Sequence, residues 1–125
     1  MLGTGLSELV SDRLENVSRI PYVELGFPRA ALIGHAGQAL VGRWHGRRTL
    51  AFAGRHHLYQ GFDARTVTSS VALAHAAGAK TIVLTNAAGG LNRHFAPGDL
   101  MLIVDQINLT GTSPLTGDGD RNPFV

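Results

Sequence analysis

The strongest strand signal in this chain is Lys80-Thr81-Ile82-Val83-Leu84, which runs directly into Thr85-Asn86-Ala87-Ala88-Gly89-Gly90-Leu91. The apolar, β-branched run predicts a buried strand. The alanines and glycines that follow leave the backbone N–H groups open to close approach by a ligand. Small residues at the carboxyl end of a buried strand mark the usual ligand position in an open α/β sheet. A tight turn before the next element is the alternative that this stretch alone leaves open.

Composition limits the classes of protein to consider. A chain of 125 residues with 44% hydrophobic content predicts one domain with a real core, and 16% charged residues with a mean hydropathy of +0.07 argue against disorder. The absence of cysteine excludes disulfides and thiolate metal sites, and fits a cytoplasmic protein. A net charge of +2 with scattered arginines argues against nucleic acid, and no apolar stretch predicts a membrane span or a signal peptide.

The first residues predict a second place for an anion. Met1-Leu2-Gly3 has the pattern of the end of a strand, and a helix is predicted from about Ser7 to Leu14 with Leu6, Leu9, Val10 and Leu14 on one face. A glycine-rich turn before a helix favours an anion because free N–H groups and the helix dipole both attract negative charge. Thr4 adds a hydroxyl at this turn, although a threonine there is more often only a turn residue.

The middle of the chain predicts an antiparallel meander. Residues 15–28 contain Pro21, Gly26 and Pro28 and are predicted to be irregular. Strands are predicted over Ala30–Ile33, Ala39–Trp44 and Arg48–Ala53, joined by the turns Gly34–Gly37 and His45-Gly46.

The second half predicts one more helix and one more strand. Val67, Val71 and Ala74 are spaced for a helix over 64–77 that packs on the sheet and is stopped by Gly78. Leu100–Val104 is predicted to be a buried strand, and the chain then becomes polar and glycine-rich between Gly111 and Asn122.

The end of the third predicted strand carries the densest polar chemistry. In an extended segment Arg55, His57 and Tyr59 point to one side. Arginine suits phosphate because its planar group donates two hydrogen bonds at once, and histidine adds a group whose charge responds near neutral pH. No carboxylate lies nearby to complete a metal site, so no metal is predicted. A solvated basic loop is the alternative.

Five motifs occurring in order resemble one family. They are Leu2-Gly3-Thr4-Gly5-Leu6, Gly34-His35-Ala36-Gly37, Gly54-Arg55-His56-His57-Leu58-Tyr59, Thr85–Asn92 and Asp105-Gln106-Ile107-Asn108. Together they resemble the N-terminal half of the trimeric purine nucleoside phosphorylases, a family that includes methylthioadenosine phosphorylase. The Asn-Ala-Ala-Gly-Gly form favours the inosine/guanosine branch, with methylthioadenosine as the alternative substrate. The implied fold is an α/β, three-layer, mixed β-sheet flanked by helices, with residues 1–125 forming an incomplete, N-terminal part of a single domain.

The resemblance implies site residues by position. The implied phosphate-binding residues are Thr4, His35, Arg55, His56, His57 and, through its N–H, Ala87. The implied nucleoside-binding residues are Tyr59, Asn86, Ala88 and Gly89. The chain departs from the family at Gln60, where glutamate is usual, and at Gln106, where histidine is frequent. The Gln60 substitution is expected to alter how the Arg55 loop is held.

The implied reaction is the phosphate-dependent cleavage of a purine nucleoside to free base and ribose 1-phosphate, a pentosyl transfer. Inorganic phosphate is the co-substrate, no cofactor or covalent nucleophile is needed in this half, and the family is homotrimeric. The family's purine-contacting residues lie in the second half, so we expect no useful turnover by these 125 residues alone. A non-catalytic phosphate-binding module and a truncated, inactive fragment are the alternative functions. The open sheet should also leave Ile82, Leu84, Leu102 and Val104 poorly covered.

Overall fold

A computed structural model describes residues 1–3, 5–28 and 37–116. The regular elements in these ranges are α1 (Leu6–Arg13), β1 (Glu15–Pro21), β2 (Gln38–Trp44), β3 (Arg47–Ala53) and α2 (Ala64–Ala76). Two 3₁₀ helices, Tyr22–Leu25 and Leu58–Gln60, follow β1 and precede α2. Both predicted helices and the strands predicted over 39–44 and 48–53 are confirmed to within one residue at each end. The strand predicted over 30–33 lies outside the described residues.

The three strands form an antiparallel sheet in the order β1-β2-β3. β2 and β3 are joined by His45 and Gly46, whose φ angles of 48° and 76° are both positive. A type I′ turn needs positive φ at both central residues, which is why a glycine occupies the second position. The turn fixes the register, with Trp44 opposite Arg47 and Gln38 opposite Ala53.

Residues 1–3 extend this sheet beyond β3. Leu2 forms a parallel bridge with Ala53, and its N–H donates to the Phe52 carbonyl at 3.0 Å. On the other side the Met1 ammonium donates to the Val83 carbonyl at 2.7 Å, and the Thr85 N–H donates to the Met1 carbonyl at 3.2 Å. The second pair is the hydrogen-bond pattern of a parallel ladder. One parallel bridge thus adds residues 1–3 to the antiparallel sheet, although they form no regular strand. The prediction that they are the end of a strand stays a prediction.

Helices cover both faces of the sheet. One buried cluster contains Leu2, Leu14, Leu40, Ala51 and Ala53, with Leu6 and Val10 of α1 packed against it. The other contains Tyr22, Ala39, Phe52 and Ala74, the last of which belongs to α2. Adjacent strand residues such as Ala39 and Leu40 belong to different clusters because side chains alternate across a strand. The result is an arrangement of helix, sheet and helix that is consistent with an incomplete form of the predicted α/β fold.

The helix ends follow ordinary capping chemistry. The Asp63 carboxylate accepts a hydrogen bond from the Thr66 N–H at 2.7 Å and caps α2, which lowers the pKa of that carboxyl. The predicted apolar face of α1 is correct except at Leu9, which is 50% exposed. No helix in the described ranges is long and apolar enough to cross a membrane.

The prediction of irregular structure over residues 15–28 is wrong. β1 occupies Glu15–Pro21, and the first 3₁₀ helix follows directly. β1 lies at one end of the strand order, so most of its residues are exposed. Its sequence is accordingly polar and carries no clear strand signal. Pro21 pairs with Gln38, while the next N–H, that of Tyr22, donates to the Gly37 carbonyl at 2.9 Å. Bonded and non-bonded pairs alternate in an antiparallel ladder, so Pro21 stands where no N–H is needed.

The predicted buried strands over 80–84 and 100–104 are also wrong for the described structure. Neither is a regular strand, and Val83 and Val104 are 67% and 93% exposed. A strand needs a hydrogen-bonding neighbour and a surface to pack on. Within the described ranges, the first segment pairs with residues 1–3 at its end and the second pairs with none. The expectation of poorly covered apolar side chains at Ile82, Leu84, Leu102 and Val104 is confirmed.

We predict that Leu40→Ala lowers the free energy of unfolding by about 2–5 kcal/mol, because Leu40 is fully buried between the sheet and α1. The matched control is Val41→Ala on the neighbouring, 41% exposed position, which should cost less than about 1 kcal/mol. Denaturant unfolding of the two variants measures both values. Equal losses would contradict the described orientation of β2.

Candidate anion site

Three segments of the chain end side by side on one edge of the sheet. Residues 1–3 run parallel to β3 on one side and to residues 83–85 on the other. Parallel segments finish at the same edge, so the residues after Ala53 and Thr85 emerge on either side of Gly3. We call this the strand-end edge. Among the described residues, it collects two of the motifs predicted to bind an anion, the loop after β3 and the loop after Thr85.

Gly3 and Thr85 hold two of these ends in close contact. The Gly3 N–H donates to the Thr85 Oγ1 at 2.8 Å. At the end of the backbone ladder, the acceptor is therefore the Thr85 side chain and not a carbonyl group. A Cβ on Gly3 would lie 3.0 Å from the Thr85 carbonyl oxygen and 3.3 Å from the Asn86 Cα. A side chain at position 3 would therefore push the neighbouring backbone by a few tenths of an ångström, so packing favours glycine there. The role of the Thr85 hydroxyl was not predicted, because nothing local in the sequence shows its distant partner.

Arg55 follows the end of β3 and is half-buried. Burial lowers the pKa of the Met1 ammonium, and the positive charge of Arg55 lowers it further. The field of this guanidinium therefore reaches the neighbouring segment of the sheet. A positive group at the strand-end edge is the arrangement that an anion needs.

The backbone on both sides of Arg55 is fixed by side chains. The buried Tyr22 hydroxyl donates to the Gly54 carbonyl at 2.7 Å, and the Gln60 Oε1 accepts from the His57 N–H at 2.9 Å. Gln60 thus holds the Arg55 loop, residues 54–57, through a neutral amide oxygen. This contact is consistent with the expectation that Gln60 affects how the Arg55 loop is held. Nothing local in the sequence points to Tyr22, because it lies 32 positions from Gly54.

His56 points into the core. It is 4% exposed, its Nε2 lies 2.9 Å from the Pro28 carbonyl oxygen, and its ring contacts Phe62 edge-on at 4.9 Å. This position explains how a histidine is accommodated in an aromatic cluster, because its polar atom has a partner. The phosphate-binding role predicted for His56 stays a prediction.

His57 and Tyr59 form a stacked pair. Their ring centroids are 4.8 Å apart with the planes inclined by 21°. Tyr59 is 73% exposed, so its outer face is free of the core. The predicted placement of His57 and Tyr59 on one side of the loop is consistent with this pair, whose exposed Tyr59 ring leaves a flat aromatic surface open.

The loop after Thr85 is open. Asn86, Ala87, Ala88 and Gly89 are all exposed, and no atom lies within 4 Å of the place where a Cβ of Gly89 would stand. The Ala87 N–H donates to no acceptor within residues 1–3, 5–28 and 37–116. This loop therefore has the unobstructed backbone that its composition predicted. Thr4 and His35, the other two predicted anion ligands, lie outside the described residues.

Two other features bear on the site. A cavity of about 320 Å³ lies between the start of α2 and residues 106–114, and its lining includes Gln106 but none of the predicted phosphate ligands. Within the described part of the chain, no three His, Asp or Glu side chains are placed to hold a metal ion.

The chain is similar in sequence to one protein family and to individual proteins. The family described as Phosphorylase superfamily matches residues 2–125. Purine nucleoside phosphorylase 1 of Bacillus subtilis is 40% identical over 123 residues, covering 98% of this chain and 45% of the relative.

Two solved structures are similar to the chain in fold. A Schistosoma purine nucleoside phosphorylase in complex with hypoxanthine superposes with a TM-score of 0.66 at 32% identity, over 77% of this chain and 32% of that chain. Isoform 2 from Schistosoma mansoni, in complex with cytosine and ribose-1-phosphate, gives 0.65 at 33% identity, over 73% and 32%. The chain thus has the predicted nucleoside phosphorylase-like α/β fold and spans less than half the length of these relatives.

We predict that Thr85→Val destabilises the protein by about 1–3 kcal/mol, because it leaves the part-buried Gly3 N–H without its acceptor. Thr85→Ser retains the hydroxyl and should recover most of the loss. Thermal unfolding of both variants tests the prediction. Identical melting temperatures for the valine and serine variants would show that the hydrogen bond contributes nothing.

Proposed function

The chain belongs to the phosphorylase superfamily, and from that premise we propose that it carries the phosphate-binding half of a purine nucleoside phosphorylase. The observation that supports this most strongly is the parallel alignment of residues 1–3 with β3 and with residues 83–85. In this proposal, that alignment brings the Arg55 loop and the Ala87 amide to the same edge of the sheet. Neither motif alone would define a phosphate site.

The chain's own groups act by position and charge. The Arg55 guanidinium and the His57 imidazole hold phosphate at the strand-end edge, and the Ala87 N–H donates to one of its oxygens. Thr4 and His35 complete the set of ligands in this proposal. Tyr59, with its exposed ring, packs against the ribose, while Asn86, Ala88 and Gly89 lie beside the nucleoside.

The bound phosphate attacks the anomeric carbon of the nucleoside. One phosphate oxygen forms a bond to that carbon as the bond to the purine nitrogen breaks, and the proton of the hydrogenphosphate ends on the purine, giving ribose 1-phosphate and free base. The sugar passes through an oxocarbenium-like state, whose positive charge the phosphate oxygens stabilise. Holding phosphate in line with the breaking bond is therefore the contribution of this half.

The proposed enzyme takes a purine nucleoside and inorganic phosphate as its substrates and uses no other cofactor. It assembles as a homotrimer. A cytoplasmic location accords with a chain of 125 residues that contains no cysteine.

The function is tested by phosphate-dependent release of hypoxanthine from inosine, using the protein expressed from the complete reading frame that contains this chain. We expect release that requires phosphate and saturates with it. Saturable phosphate binding without release would support a non-catalytic binding module instead, and the absence of both would overturn the proposal.

We predict that Arg55→Ala in that protein raises the KM for phosphate by about 10- to 150-fold, because it removes a charge-assisted hydrogen-bonding group. The KM for inosine should change much less. Steady-state kinetics with each substrate varied in turn provides both values.

The matched control is Arg48→Ala, which removes the same group from an exposed position at the other end of β3. It should leave both KM values unchanged. Equal increases for phosphate and inosine in the Arg55 variant would show that Arg55 acts on the fold and not on the anion.

A further inference from the structure

An aromatic cluster backs the Arg55 loop. The ring of Tyr22 contacts Phe27 at 5.5 Å, Phe52 at 6.3 Å and His56 at 5.9 Å, measured between ring centroids. The cluster connects the segment after β1 to the loop after β3. The two segments are distant in sequence, so this packing is what brings them together.

Tyr22 contributes a single directed bond to the loop. Its side chain is 2% exposed, and its hydroxyl donates to the Gly54 carbonyl at 2.7 Å. Burial raises the pKa of Tyr22, so the hydroxyl keeps its proton and remains a donor at any working pH. Gly54 immediately precedes Arg55, so the bond fixes the peptide from which the arginine side chain departs.

The donor itself is held in place. The Tyr22 N–H donates to the Gly37 carbonyl at 2.9 Å, which continues the ladder between β1 and β2. The Tyr22 carbonyl accepts from the Phe27 N–H at 3.0 Å, closing the turn around the first 3₁₀ helix. Because the Tyr22 backbone is held on both sides, its hydroxyl can keep the Gly54 carbonyl in a fixed position.

A second contact reaches the same loop from the same segment. The His56 Nε2 lies 2.9 Å from the Pro28 carbonyl oxygen, on the other side of Arg55 in the sequence. The loop is thus attached to residues 22–28 both before and after the arginine. The bonds that fix it are buried or part-buried, so water does not replace them freely.

We propose that Tyr22 is a positioning residue for phosphate binding, which acts through the Gly54 carbonyl to orient Arg55. The proposal rests on the proposed function of this site. Tyr22 touches no substrate, and its effect passes through one hydrogen bond. Losing that bond leaves the buried Gly54 carbonyl unsatisfied and frees the peptide before Arg55 to rotate.

The test is Tyr22→Phe in the protein from the complete reading frame, since phenylalanine keeps the ring packing and removes only the hydroxyl. We expect the KM for phosphate to rise about 2- to 10-fold while the KM for inosine stays unchanged. The control is Leu14→Val, which weakens the opposite core cluster without touching the loop. It should lower the melting temperature and leave the phosphate KM unchanged.

A second measurement separates this proposal from the proposed function. Amide hydrogen exchange of residues 54–57 should accelerate in the Tyr22→Phe variant and stay unchanged in the Leu14→Val variant. Unchanged exchange, or an unchanged phosphate KM in an active enzyme, overturns the positioning role. A wild-type protein that neither binds phosphate nor cleaves inosine overturns the proposed function, and the phosphate role of Tyr22 with it, whatever the exchange shows.

Discussion

The structure depends on three residues that make hydrogen bonds in two directions. Leu2 bonds to β3 on one side, while Met1 and Gly3 bond to residues 83–85 on the other. Without this short central segment, the Arg55 loop and the loop after Thr85 would have no fixed relation to each other. The backbone ladder therefore sets the geometry of the site before any functional side chain is considered.

The site is supported from behind by packing and directed bonds. The aromatic cluster around Tyr22 and His56 supports the Arg55 loop, and the Gln60 side chain holds the His57 N–H. The loop after Thr85 is held at its start and is otherwise open. In the candidate anion site, the Arg55 loop is therefore tied to the core and carries a positive charge, whereas the loop after Thr85 is exposed backbone.

Local sequence signals predicted local structure well. The His45-Gly46 turn and the helix α2 each carry their signal within a few positions. Sequence signals failed where the structure of a segment depends on neighbours that are distant in the sequence. β1 is a strand because β2 lies beside it, while residues 100–104 are apolar enough for a strand but have no neighbour within the described ranges. Tyr22 was missed for the same reason, since its partner is the distant Gly54.

If the Arg55 loop and the loop after Thr85 form one anion site, as proposed, both loops should respond to the same ligand. A titration with inorganic phosphate, followed residue by residue through the backbone amide resonances, measures that response. We expect the amides of Arg55, His57 and Ala87 to shift together and to fit a single dissociation constant. Shifts confined to one of the two loops, or shifts that fit different constants, would contradict this proposal.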